Sequence, residues 1–205
     1  MALLFANNNS LSAITSLPAS ISGGGMTLIS TQTASSSSTI SFTSGIDSTY
    51  DEYVFKFINI HADTDTANFT VGFRDGGTDY DATKTTTYYR AYHSEADTTA
   101  FGYKTDQDLA QSTGFQNLCY SLDGDADGNT AGYLHLFNPS STTFVKHFIA
   151  RTSCVHSAPE AHDSYIAGYC NTTTAIDGVQ FKMSSGNIDA GIIKMYGVGD
   201  KQSWL

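Results

Sequence analysis

Charge is scarce in this chain: Asp, Glu, Lys and Arg make up 15% of its 205 residues, well below the quarter usual in globular domains. The charge present is mostly of one sign, with 10 Lys and Arg against 20 Asp and Glu and a formal net charge of −10. A protein that grips a phosphate backbone needs a basic stripe to displace counterions, so this balance argues against nucleic acid as a partner. Long apolar runs are missing as well. No stretch approaches the roughly eighteen residues a membrane-spanning helix needs, which speaks against membrane insertion. Residues 1–5 are apolar but lack the basic flank and the length of a secretory leader.

Catalytic and metal signatures are also absent. The three cysteines, Cys119, Cys154 and Cys170, form no CxxC pair, which excludes a zinc knuckle and a thioredoxin-type centre. They read as small buried hydrophobes, and Cys154 with Cys170 is the disulfide that neighbouring strands would permit. There is no GxSxG nucleophile elbow, and no glycine-rich phosphate loop precedes a helix. The histidines show neither HxH nor HxxxH spacing. No catalytic residue and no cofactor is indicated, and the chain is expected not to be an enzyme.

Hydroxyl groups take the place of charge: Ser and Thr supply about a quarter of the residues. Residues 1–38 are nearly uncharged, punctuated by Asn7-Asn8-Asn9, Gly23-Gly24-Gly25 and Ser35-Ser36-Ser37-Ser38. Apolar side chains lie between them: Leu3, Leu4, Phe5, Leu11, Ile14, Leu17 and Ile21. Such a segment has no core of its own, so it is expected to be an extended arm that docks on partner subunits. Burying a Leu or Phe is worth roughly 1.5–3 kcal/mol, and ordering each residue costs about 1–2 kcal/mol. Many contacts are therefore needed, which implies a homo-oligomer.

Residues 39–199 read as strand after strand. Residues 53–60 are long, aromatic and β-branched, and residues 68–74 alternate cleanly, placing Phe69, Val71 and Phe73 on one face. Further strands fall at 85–92, 132–137, 143–150, 165–170, 179–183 and 192–198. Turn residues at 138–141 and 184–187 predict two hairpins. Residues 105–111 are the one stretch with a helical pattern, a turn or two capped by Thr105. The expected fold is all-β: an antiparallel sandwich of jelly-roll type with an extended N-terminal arm and a short tail at 200–205.

Three groups of residues could carry function. Asp123, Asp125 and Asp127 with Gly128 match the start of a calcium loop, but the position of the closing bidentate Glu holds Leu134, so a solvated acidic turn is the plainer reading. His156, Glu160, His162 and Asp163 form a denser cluster in an apparent loop, and a hairpin would bring His135 towards His147. Tyr88, Tyr89 and Tyr92 crowd the middle of the chain, where large rigid rings with a polar tip suit either a core or contact with a glycan or protein partner.

Several stretches taken together resemble structural proteins of marine tailed phages. These are residues 30–37, Ile40-Ser41-Phe42-Thr43-Ser44-Gly45-Ile46-Asp47 leading into Tyr53-Val54-Phe55-Lys56-Phe57, residues 135–143, and residues 181–189. The resemblance runs from about residue 27 to residue 198. It includes no catalytic motif, so it assigns no site residues. It implies a component of the virion, either a capsid decoration or cement protein, a head fibre, or a tail-fibre module that recognises a host-surface glycan. It also implies other virion proteins as partners and, from the way such proteins assemble, a trimer.

Overall fold

The computed structural model describes residues 25–199. They form twelve strands: β1 (Met26–Ser37), β2 (Ile40–Phe42), β3 (Glu52–Ala62), β4 (Phe69–Arg74), β5 (Lys84–Ser94), β6 (Thr99–Tyr103), β7 (Gln116–Cys119), β8 (Thr130–Phe137), β9 (Lys146–His156), β10 (Glu160–Cys170), β11 (Gly178–Met183) and β12 (Ile188–Val198). No helix forms among the described residues. An eight-stranded sheet in the order β1-β12-β3-β8-β9-β10-β5-β6 packs against a four-stranded sheet in the order β2-β11-β4-β7. Every strand pairing is antiparallel, giving the all-β sandwich that the alternation predicts.

Alternation decides which side chains fill the space between the sheets. Phe69, Val71 and Phe73 of β4 are fully buried, as their spacing predicts. Phe181 of β11 lies at the centre of a ring cluster, 5.2 Å from Phe57, 5.5 Å from Phe55, 5.8 Å from Phe69 and 6.3 Å from Phe42. The far side of β4 is also closed to solvent: a side chain on Gly72 would meet the Phe115 ring at 2.6 Å. The small sheet is thus covered by its own loops, while the large sheet leaves its outer face open.

The structure departs from the sequence expectations in four places. The segment expected to be arm does not extend to residue 38, because residues 26–37 form β1, paired along its length with β12 at the edge of the large sheet. Its Ser and Thr residues are mostly exposed, and backbone hydrogen bonding rather than apolar burial holds it there. The remaining arm residues, Leu3 to Ile21 among them, and the tail at 200–205 lie outside the described residues. Residues 105–111 make turns rather than a helix. Gln116 donates to the Gln107 carbonyl at 2.9 Å, and Asn117 to the Gln107 side chain at 2.7 Å.

The turn at 138–141 does join a hairpin, β8 to β9, but the turn at 184–187 does not. β11 pairs with β2 and β4 in the small sheet and β12 with β1 and β3 in the large one, so this turn carries the chain from one sheet to the other. Gly186 permits it, with φ +68° and no room for a Cβ beside Asp63 and Thr64. Finally, the disulfide joins Cys119 of β7 to Cys154 of β9 and so ties the two sheets together, leaving Cys170 free and buried. Cys154 lies opposite His162 and Cys170 opposite Lys146, at the two ends of the β9–β10 hairpin, so the pair permitted by sequence is out of reach.

Candidate functional site

Beyond the end of β7 the small sheet runs out, and the inner face of the large sheet carries polar groups instead of phenylalanines. Strand alternation aligns Tyr88, Arg90 and Tyr92 on β5, Glu160, His162 and Ser164 on β10, and His156 on β9, with Tyr120 closing over them. Glu160 sits opposite His156, and His162 opposite Tyr92. The His162 side chain is fully buried, and its Nε2 lies 2.6 Å from Glu160 Oε2. Arg90 Nη1 lies 3.2 Å from His162 Nδ1 and 2.8 Å from Nε2. With the Nε2 proton given to Glu160, Nδ1 is the acceptor for Arg90. The guanidinium is held between two rings, 4.9 Å from Tyr92 and 4.7 Å from Tyr120. The rings of His156 and His162 are 4.1 Å apart.

His156, Glu160 and His162 are the one trio among the described residues whose ligand atoms converge, all within 4.8 Å. Two histidines and a carboxylate are a zinc-type donor set. The surroundings oppose a metal, however. The Ala158 amide already donates to His156 Nδ1 at 2.9 Å, and the Arg90 guanidinium occupies the space beside His162 where a second cation would be repelled. The arrangement is a closed network in which an arginine, two histidines and a glutamate satisfy one another. The cluster that looked like a loop in the sequence is thus the tip of a hairpin turned inward, and Asp163 faces the other way.

This network makes stability depend on pH. Burial pushes His162 down to about 4, partly opposed by its hydrogen bond to Glu160 and reinforced by His156 and Arg90; burial also lowers His156. In the unfolded chain a histidine takes its proton near pH 6.5, so between there and pH 4 the unfolded state binds the proton that the folded state refuses. The stability tied to His162 is therefore complete above pH 6.5 and is lost as pH falls towards 4, by up to about 1.4 kcal/mol per pH unit, and His156 acts in the same direction. Asp163, held low by its hydrogen bond from Arg151, contributes stability in full above its ordinary value of 3.8 and loses it only below that pH. Urea midpoints measured at pH 7.0, 5.5 and 4.5 should fall progressively, and His162→Gln should flatten the trend. A constant midpoint would show that His162 protonates freely in the folded protein.

The tyrosines separate by the same alternation. Tyr88 points inward, fully buried, and donates to Ser164 Oγ at 2.8 Å; burial pushes its phenol up to about 12. It cannot touch a glycan or a partner, which corrects its grouping with its neighbours. Tyr92 is half-buried against Arg90. Tyr89 alone faces out. There it belongs to a row that crosses the large sheet at right angles to the strands, each residue directly opposite the next: Tyr103, Tyr89, Tyr165, Arg151, Tyr133, Lys56 and Lys194. Tyr89 stacks on Tyr165 at 5.2 Å with the rings 9° from parallel, and Phe101, 71% exposed, meets Tyr89 edge-on. Arg151 lies 4.7 Å over the Tyr165 ring and is held by two bonds to Asp163, of 2.9 and 2.7 Å.

The other sequence candidates stay apart. Asp125 and Asp127 are exposed, Asp123 accepts the Asp125 amide at 3.0 Å, and these three carboxylates do not converge as ligands. His135 pairs with Glu52, and His147 lies beside Tyr169. The outer row escaped sequence reading because its members come from seven strands, each contributing one ring or cation amid polar residues. No family model, no curated protein and no solved structure matches the chain.

Proposed function

We propose that this protein is a non-enzymatic structural component of a tailed-phage particle, displayed on the particle surface as a decoration or head-fibre module. In this reading residues 1–24 anchor it to the particle or to neighbouring copies, and the outer face of the large sheet is its contact surface. The observation that supports the reading most is that face. Phe101 is 71%, Tyr103 51% and Ile149 50% exposed, a concentration of large apolar side chains on one side of a sandwich. The resemblance of the sequence to phage structural proteins supplies the setting.

A second reading, a receptor-recognition module of a tail fibre that binds host-surface glycan, is favoured by the aromatic and cationic character of the row from Tyr103 to Lys194. Mass spectrometry of purified particles tests the first reading: the chain should be present at fixed copy number. A version lacking residues 1–24 should keep the fold of residues 25–199 and fail to attach or to oligomerise. Absence of the full chain from particles would overturn the proposal, and full attachment without residues 1–24 would overturn the role given to the arm.

A further inference from the structure

The outer row contains a pairing that a sheet ordinarily avoids. Lys56 and Lys194 are directly opposite on β3 and β12, and like charges in that position are destabilising. Among the described residues no acid forms an ion pair with either of them. On the outer face the residues beside Lys56 are Val54, Ile58 and Tyr133, and those beside Lys194 are Ile192, Tyr196 and Thr31. Lys56 instead lies 5.6 Å over the Tyr196 ring. In a chain with twice as many acids as bases, two adjacent lysines among rings and aliphatic side chains form a local site for an anion.

We infer that this face binds a carboxylated polysaccharide laid across the strands, its acid groups at Lys56 and Lys194 and its sugars along Tyr133 and the outer edges of Tyr165 and Tyr89. The inference rests on reading the outer face as a contact surface. Two features select an extended glycan. Neighbouring strands lie about 4.8 Å apart, close to the roughly 5 Å advance of an extended pyranose chain, so successive sugars meet successive side chains of the row. With Tyr165 held between Tyr89 and Arg151, these rings stand on edge and form an apolar ridge with polar tips, which suits sugars that carry both apolar faces and hydroxyls. Tyr103 to Lys194 spans six such steps, about 29 Å, the length of a short oligosaccharide.

The test passes the full chain over resins bearing alginate, polygalacturonate, uncharged dextran or double-stranded DNA. Retention is expected on the two carboxylated resins, released by salt, with none on dextran. Lys56→Gln with Lys194→Gln should weaken retention roughly tenfold while leaving thermal stability unchanged or raised, since a like-charge pair has been removed. Tyr165→Ser should also weaken it. Lys182→Gln, over Phe115 and away from the row, should bind as the parent does. Failure to bind either carboxylated resin, equal binding to dextran, stronger binding to DNA, or undiminished binding by the double variant would each overturn the inference. None of these results bears on whether the chain is found in particles, so the two proposals fail separately.

Discussion

Replacing Cys119 and Cys154 by alanine is expected to lower the unfolding free energy by about 4 kcal/mol. The bond closes a loop between residues 35 apart in sequence, and the entropy removed from the unfolded chain by a closure of that size corresponds to this figure. A domain of this size has about 5–15 kcal/mol in all, so the bond contributes a large share. Its position adds to the effect: Cys119 ends β7 of the small sheet and Cys154 lies on β9 of the large one, so it joins the layers beside the Arg90–His162–Glu160 network. Urea unfolding of parent and variant, each with and without reductant, checks this. The parent should drop to the variant's midpoint when reduced, and the variant should not respond. Cys170 should not interfere by exchange, because burial pushes its thiol up to about 12 and leaves almost no thiolate at neutral pH. A parent midpoint indifferent to reductant would show that the bond adds nothing.

Phe181→Ala should cost a similar amount, about 3–5 kcal/mol. The ring is completely buried, and phenylalanines of three other strands surround it. Removing it leaves a cavity that a rigid sheet-on-sheet interface cannot collapse to fill. Phe181→Leu should cost much less, because most of the volume is kept. Thermal or urea unfolding of the two variants separates the cases, and near-equal losses would mean that the cluster repacks around the gap.

The contrast between these two sites shows what could be read from the sequence. Phe181 is flanked by polar residues at strand spacing, and period-two alternation alone marks it as inward-facing, as it does for Phe69, Val71 and Phe73. Alternation also separates Tyr88 from Tyr89, although composition groups them. Pairing is a different kind of information. Cys119 and Cys154 belong to different sheets, and nothing local distinguishes that link from one between Cys154 and Cys170. The turn at 184–187 has hairpin chemistry, yet it changes sheets, because the partners of β11 and β12 lie far away in sequence. β1 lacks the apolar stripe that marks a strand, since an edge strand that packs only Ile29 and Ala34 against the core needs none. The row from Tyr103 to Lys194 is set wholly by register, so no window of sequence contains it.

One consequence of the strand order concerns the time at which the molecule becomes whole. In the large sheet β12 lies between β1 and β3, so the last of the described strands is inserted between two of the earliest described ones. Until residues 188–198 leave the ribosome, β1 has no partner and the edge of β3 is bare. Closing so many contacts between distant parts of a chain is slow. During that wait a Ser- and Thr-rich β1 with few apolar side chains is a poor template for wrong pairing, whereas an apolar strand in its place would draw other chains to it. The hydroxyl-rich composition of residues 26–37 thus protects the nascent protein at the stage when β1 must wait for β12.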